Sequence, residues 1–292
     1  IVWRYRRGVS GRWELDTTFD QEGRGFITHH NAGGGGGDDR GQALVVNGLE
    51  IFVAGASDNS NPNGKSMVVW KLRKNLLGYW EMDNSFAGGT LSYMSVSSME
   101  QGLPQYSYAF GIKIDNSGHL IIGGVRQSYA TAWRLSQGKN GSWDFDNSFG
   151  ENGKGYVSFP EKIDSVVAMA LDSQDRIVMV GCLPSEISYT DMAVWRINNN
   201  NTGISSFDGT FSAAGNGLIR FPNIVGNEGY ACARDMLIDK QDSILISGDG
   251  YNDGLNYDAF LWKYSRLPDG YWGLDLSFGE NRTGVFRYNR TL

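Results

Sequence analysis

Apolar residues along this chain come in short runs, each closed by glycine, asparagine or aspartate, and no helical period of useful length appears. The runs sort into four kinds of predicted strand. The first kind ends in an acidic or amide turn, at residues 43–47, 110–115, 167–172 and 236–239. The second is apolar and closes on glycine, at 51–55, 120–124, 177–181 and 244–248. The third carries a tryptophan, at 67–72, 131–135, 192–197 and 259–264. The fourth lies at 25–28, 91–94, 155–159, 217–221 and 284–288. Short length, β-branched content and flanking turn residues make these strands.

A fixed ruler underlies the pattern. Trp3, Trp70, Trp133, Trp195 and Trp262 each precede a phenylalanine by sixteen residues: Phe19, Phe86, Phe149, Phe211 and Phe278. Between them fall a glycine (Gly11, Gly78, Gly141, Gly203, Gly270) and an aspartate (Asp16, Asp83, Asp146, Asp208, Asp275). A hydroxyl residue precedes each phenylalanine, and a basic residue follows each tryptophan: Arg4, Lys71, Arg134, Arg196 and Lys263. Units of this kind bury their faces against one another. The recurring tryptophans are therefore expected to be buried at equivalent sites between units. The glycines suit a backbone with φ > 0, and the aspartates suit Asx-type turns. The basic residues are read as partners of a carboxylate or carbonyl in the adjoining turn. Trp13, Trp80, Trp143 and Trp272 recur at one offset too, with Ser205 as the exception, and are read as packing.

Four antiparallel strands per unit of about 60 residues describe a propeller blade. The predicted fold is all-β: one β-propeller domain over residues 1–292, with a partial blade at 1–31 and full blades near 38–96, 105–159, 163–221 and 230–288. First and second strands occur four times and the other two kinds five times, counting the segment around Trp3 as a third strand, so the chain is read as starting inside a blade. A closed four-blade ring with a spare hairpin is the alternative. The stretch 191–211, and Trp133-Arg134-Leu135 leading into Asp146-Asn147-Ser148-Phe149-Gly150, resemble the units of the bacterial delta-60 repeat family. The strand order is also similar to an NHL-type blade. That resemblance spans essentially the whole chain. It implies a propeller scaffold at the cell surface, in the envelope or outside the cell, and it implies no reaction.

Composition narrows the partners. Net charge is −6 with a pI near 5.1, so no basic field exists to hold a phosphate backbone, and nucleic acid is excluded as the expected partner. No apolar run approaches the roughly eighteen residues that span a bilayer. No signal peptide is present, and Ile1 is not a natural start, which leaves room for a leader removed by processing or truncation. Cys182 and Cys232 are read as two buried free thiols in preference to a disulfide. His29 and His30 are adjacent, so on a strand they point to opposite sides and cannot chelate together. His119 sits in a hairpin. Gly33 to Gly37 read as a flexible loop with no following helix or Lys-Ser/Thr to make a phosphate cradle.

Loop length separates the two ends of the blades. Links containing the Asp and Phe hardly vary, whereas Gly-to-Trp distances are fifteen residues for Gly55–Trp70 and nine for Gly124–Trp133. Variable loops on a rigid scaffold are the usual place for binding groups. At that end lie Tyr106, Tyr108, Tyr129, Tyr189, Tyr230, Asp249, Tyr251, Asn252, Asp253, Asn256 and Tyr257. Tyrosine with Asn, Asp and Gly is the palette of adaptable recognition surfaces and suits sugars. The reading is a non-enzymatic binding or adhesion module for a glycan or protein ligand on a cell surface, with no cofactor. Asp249, Asp253 and Asp258 make a weak calcium candidate, rich in oxygen ligands but without EF-hand spacing. The alternatives are a hydrolase- or lyase-like enzyme using Asp235 and Lys113 in a central channel, and a passive spacer.

Overall fold

The computed structural model describes residues 1–61, 64–89, 91–96, 106–150, 153–185, 190–199, 207–221, 230–251 and 257–288. The fold is all-β and built from propeller-type antiparallel blades. The chain divides into two compact units, residues 1–112 with 136–144, and residues 113–135 with 145–292. The division passes through the third repeat.

In the first unit the partial blade consists of β1 (Val2–Trp3), β2 (Tyr5–Arg7), β3 (Trp13–Leu15) and β4 (Phe26–Ile27), with β1 paired to β4 and β2 to β3. A full blade follows as β5 (Gly34–Asn47), β6 (Glu50–Asn59), β7 (Lys65–Lys74), β8 (Trp80–Met82) and β9 (Tyr93–Val96). Its order is β5-β6-β7-β8, with β9 also on β7. The third repeat carries β10 (Ser107–Ile114), β11 (Leu120–Arg126), β12 (Tyr129–Gln137), β13 (Trp143–Phe145) and β14 (Tyr156–Lys162). In the second unit β12 pairs β11 on one edge and β14 on the other. The fourth repeat is β15 (Ser165–Leu171), β16 (Ile177–Pro184), β17 (Thr190–Ile197) and β18 (Leu218–Phe221), in that order. The fifth is β19 (Ala231–Ile238), β20 (Ile244–Tyr251), β21 (Tyr257–Arg266), β22 (Trp272–Leu274) and β23 (Val285–Tyr288), with β22 and β23 both on β21.

Two features differ from the sequence reading, each for a physical reason. The second strands do not end at their glycines. β6, β16 and β20 run on to Asn59, Pro184 and Tyr251. A Cβ at Gly55, Gly181 or Gly248 would strike the carbonyl of Arg40, Ser165 or Cys232 on the facing strand. The glycine therefore marks a close backbone approach beside a bulge, which shifts the register next to Gln42, Val167 and Arg234. The second difference is the three-residue strand at Trp13, Trp80, Trp143 and Trp272, too short to show a period.

The recurring block is held by one arrangement in all five repeats. The basic residue after the tryptophan reaches the aspartate of its own block: Arg4–Asp16 at 2.5 Å, Lys71–Asp83 at 2.9 Å, Arg134–Asp146 at 2.8 Å, Arg196–Asp208 at 2.8 Å and Lys263–Asp275 at 3.1 Å. The other carboxylate oxygen accepts the N–H and hydroxyl of the Ser or Thr two residues on. The backbone N–H of that aspartate donates to the carbonyl of the basic residue each time. The Arg134 and Arg196 guanidinium groups lie 4.8 and 4.3 Å from the centroids of Phe149 and Phe211. Gly11, Gly78, Gly141 and Gly270 have φ between 76° and 91°, as read; Gly203 lies outside the described residues.

Trp70, Trp133, Trp195 and Trp262 are buried, but Trp3 is 56% exposed and Trp13 69% exposed. Burial of an indole needs a preceding blade. Trp80, for example, packs its ring on Phe19, and its backbone N–H donates to the Phe19 carbonyl. Nothing among the described residues precedes the partial blade in this way.

The cysteines correct another reading. They are bonded, with Cα atoms 5.1 Å apart. Cys182 lies on β16 and Cys232 on β19, and these strands of successive blades pack together.

Two tests follow from these observations. Burial by itself raises the pKa of Asp83, Asp146 and Asp208, but bonds from Ser85, Ser148 and Thr210 and from the basic residues outweigh it and hold all three below the usual range. As pH falls, the unfolded chain, with aspartates near ~3.9, takes up protons before the folded one. The stabilisation is complete above about pH 5 and is lost as pH drops through ~4 and below. Urea midpoints should therefore be flat from neutrality to about pH 5 and fall below ~4, with a shallower fall in Asp208→Asn. An unchanged midpoint at pH 3 contradicts this. For the disulfide, closing a 50-residue separation contributes about 4 kcal/mol in the chain-entropy account. A Cys182→Ala/Cys232→Ala chain should lose stability on that scale in urea unfolding. Coincident curves for the two chains would show that the bond contributes nothing.

Candidate binding site

Two groups of side chains occupy the variable-loop ends of the blades, one in each unit. In the second unit the site begins with the bulge in β19. Arg234 is the residue that the bulge leaves unpaired, between Ala233 and Asp235. A bulge re-aims the side chain it carries. Here the Arg234 guanidinium grips Asp249 on β20, Nε to Oδ1 and Nη2 to Oδ2, the second at 3.1 Å. Nη2 also donates to the Tyr230 hydroxyl at 3.2 Å. The Tyr230 ring meets Tyr257 edge-on, with centroids 6.1 Å apart at 85°. Tyr257 is 59% exposed and Arg234 is exposed. Hydrogen bonding to Asp249 raises the Arg234 pKa, so the guanidinium stays charged.

Sequence reading placed Tyr230, Asp249 and Tyr257 at this end, and the structure brings them together. It missed Arg234, the hub between them. The signal was present: a charged residue occupies a first-strand position that holds Gln42, Phe110 or Val167 in the other repeats. Asp258, the neighbour of Tyr257, is buried and bonded to Arg287 at 2.5 Å. Of the calcium candidates, Asp249 and Asp258 thus each hold an arginine. Asp253, Asn252, Asn256 and Tyr189 lie outside the described residues, and only the backbone of Tyr251, at the end of β20, is described.

In the first unit Tyr106 and Tyr108 stack with centroids 6.5 Å apart, and Tyr108 stacks in turn on Phe110 at 6.3 Å. Tyr106 bridges Lys65, whose ammonium meets Asp58. Burial raises the Tyr108 pKa. The five-glycine run is not the loose loop expected. Gly34 opens β5 opposite Asn59, and a Cβ at Gly33, Gly35 or Gly37 would collide with Asp58 or its backbone. Glycine lets this backbone lie against β6. Tyr129 starts β12 opposite Lys162, in the second unit.

The groups weighed for chemistry are placed elsewhere. Asp235 is exposed and its carboxylate accepts the Met236 N–H at 2.8 Å; Lys113 is exposed. His29 and His30 follow β4 and are not on a strand. His29 takes the Trp70 indole N–H at 3.3 Å, and burial lowers its pKa. His119 bonds Asp115 at 2.9 Å.

The other end of the blades is occupied by structure. Asp175 and Asp242, both with φ near 60°, accept backbone N–H bonds from Asn116 and Ser173 of the preceding repeat's hairpin.

No protein-family model matches the chain, and no curated protein matches it. Several solved structures are similar at low identity. One is a protein from Lactobacillus plantarum, 10% identical with a TM-score of 0.41, over 90% of this chain and 73% of that one. A second is a fucose lectin from Kordia zhangzhouensis in complex with methyl-fucoside, 16% identical with a TM-score of 0.28, over 56% of this chain and 94% of that one. A third is the periplasmic gluconolactonase PpgL of Pseudomonas aeruginosa, 14% identical with a TM-score of 0.38, over 92% and 74%. Likeness of this size carries no functional argument. Among the described residues no helix is long and apolar enough to cross a membrane.

The Arg234–Asp249 pair is a surface pair, and such pairs contribute about 0–1 kcal/mol. Arg234→Met should leave thermal unfolding within a few degrees of the parent. A large loss would make the pair part of the scaffold instead.

Proposed function

We propose that this chain is a non-enzymatic binding module that recognises a glycan, with the Arg234–Asp249 pair and the Tyr230 and Tyr257 rings as the centre of its site. The observation that carries the reading is an exposed guanidinium–carboxylate pair beside two phenol rings, set on a bulge where loop lengths vary. A sugar presents what this arrangement takes. Neighbouring hydroxyls donate to the carboxylate and accept from the guanidinium, while the C–H face of the ring lies on Tyr257. Tyr106 and Tyr108 of the first unit, and Tyr189, Tyr251, Asn252, Asp253 and Asn256 as read from the sequence, are further candidates for binding, each to be tested separately. Membership of the delta-60 repeat family, on the block residues, and a place outside the cytoplasm belong to the same proposal. The Cys182–Cys232 bond supports that location, since such bonds persist in oxidising compartments. The reading proposed here uses no calcium, and the arginine partners of Asp249 and Asp258 support it.

A glycan panel probed with the full chain tests the reading. Tyr257→Ala and Arg234→Met should each weaken binding by about 1–3 kcal/mol, while Lys240→Ala with Gln241→Ala leaves it unchanged, and EDTA has no effect. Binding that survives both site changes, or a panel with no ligand at all, overturns the proposal.

A further inference from the structure

A tyrosine stands at one corner of the fold in both units. Lys65, the first residue of β7, bridges Tyr106, the residue before β10. Thr190, the first residue of β17, bridges Tyr230, the residue before β19, in the same parallel sense. Tyr230 belongs to the group around Arg234, so Tyr106 marks the equivalent corner of the first unit. The fourth repeat has Ile163 there, three positions ahead of Val166 as Tyr230 is of Ala233, and Ile163 is buried. A tyrosine at this corner is therefore no requirement of the scaffold. The corner lies between the second and third repeats.

Around Tyr106 the first unit assembles the kinds of group found at Arg234. Lys65 Nζ meets Asp58 Oδ1, and the two side chains stay 22% and 29% exposed. The basic residues Lys71, Arg134 and Arg196 of the repeated block are buried, by contrast, and Thr190 stands where the second repeat has Lys65. The Lys65–Asp58 pair is thus open and not part of the block. Asp58 Oδ2 accepts the Asp38 N–H at 2.9 Å, and Arg40 reaches the Asp38 carboxylate at 2.7 Å. Lys65 and the Asp38 N–H hold the Asp58 pKa below the usual range, so the carboxylate is charged at neutral pH. Each of its oxygens keeps a lone pair for a further donor. Tyr106 and Tyr108 are half-buried, and their rings lie within 3° of parallel. The glycine run serves the same corner. A side chain at Gly35 or Gly37 would collide with Asp58 or its backbone, so residues 33–37 bring bare backbone up to the pair.

We propose that the first unit carries a second carbohydrate site, formed by the Lys65–Asp58 pair and the Tyr106 and Tyr108 rings, so that one chain holds two sugars. The ligand class rests on the reading given for Arg234 and Asp249. Neighbouring hydroxyls of a pyranose donate to Asp58 and accept from Lys65, while the C–H face of the sugar lies on a tyrosine ring. The two sites need not be identical. A lysine replaces the arginine here, and its ammonium is a point donor without the fork of a guanidinium, so the first-unit site is the less selective for hydroxyl geometry. Two sites let a single chain hold two glycans at once, which suits an adhesion module.

Equilibrium dialysis of the full chain against the methyl glycosides of glucose, galactose, mannose and fucose counts the sites. A glycoside that binds should saturate at two per chain. Tyr108→Ala and Lys65→Met should each weaken the first-unit site by about tenfold or more, so that the count at the same sugar concentration falls to one. Tyr257→Ala should do the same to the other site, and Tyr108→Ala combined with Tyr257→Ala should abolish binding. Should Tyr108→Ala fail to fold, Lys65→Met, in an open pair, decides. A count of one that Tyr257→Ala abolishes and the first-unit changes spare overturns the second site and leaves the reading at Arg234 standing. A count of two that the first-unit changes do not lower overturns it as well. A count of one that Lys65→Met abolishes and Tyr257→Ala spares upholds the first-unit site and overturns the other. No binding of any glycoside overturns both.

Discussion

A basic residue paired with an aspartate twelve positions later in its own repeat, and buried with it in the second, third and fourth repeats, organises this chain. Two charges taken out of water are costly unless each finds its partners, and here every partner is supplied locally. The aspartate receives the cation on one oxygen and a Ser or Thr on the other, while backbone bonds run from the aspartate to the basic residue and from the phenylalanine to the aspartate. Burial lowers the Arg196 pKa to about 10, with Arg176 adding to the fall and Asp208 opposing it. A change at any of these positions strands a charge. The pair therefore acts less as a source of net stability than as a constraint on register. It fixes the sixteen-residue ruler, the turn and the place of the phenylalanine on which the next tryptophan packs.

That constraint falls on one part of the blade. With hairpin turns tied by Asp175 and Asp242, it leaves little freedom at the constant end. The opposite end carries the bulges, whose unpaired residue has no fixed partner in the repeat. Gln42 and Val167 are other occupants of the bulge position, and only Arg234 turns it into a charged hub. The scaffold contacts and the proposed recognition residues thus fall on different strands and at opposite ends of the blades.

Much of this was legible in the sequence because it recurs. Four glycines of the block have positive φ, the aspartates make their turns, and the four kinds of strand lie where the apolar runs put them. The misreadings share a cause: they concern partners distant in sequence. Gly55 and Gly181 looked like strand ends because a carbonyl on the facing strand cannot be seen in a linear pattern. The Cys182–Cys232 bond depends on the packing of two blades, and the burial of each tryptophan on a neighbouring repeat that Trp3 does not meet among the described residues. At the site, the tyrosines and Asp249 were found by composition and loop length. Arg234 was missed because its role comes from a bulge, although the charge in an apolar strand was visible.

The central claim is that the basic–aspartate pair acts as one unit rather than as two separate contributors. A double-mutant cycle in urea unfolding on Arg196→Met and Asp208→Leu measures this directly. Each single change leaves a buried charge and should cost about 3–5 kcal/mol, whereas the double change removes both charges and should cost far less than the sum. A coupling of about 2 kcal/mol or more supports the account. Additive losses, with coupling within about 0.5 kcal/mol of zero, would contradict it.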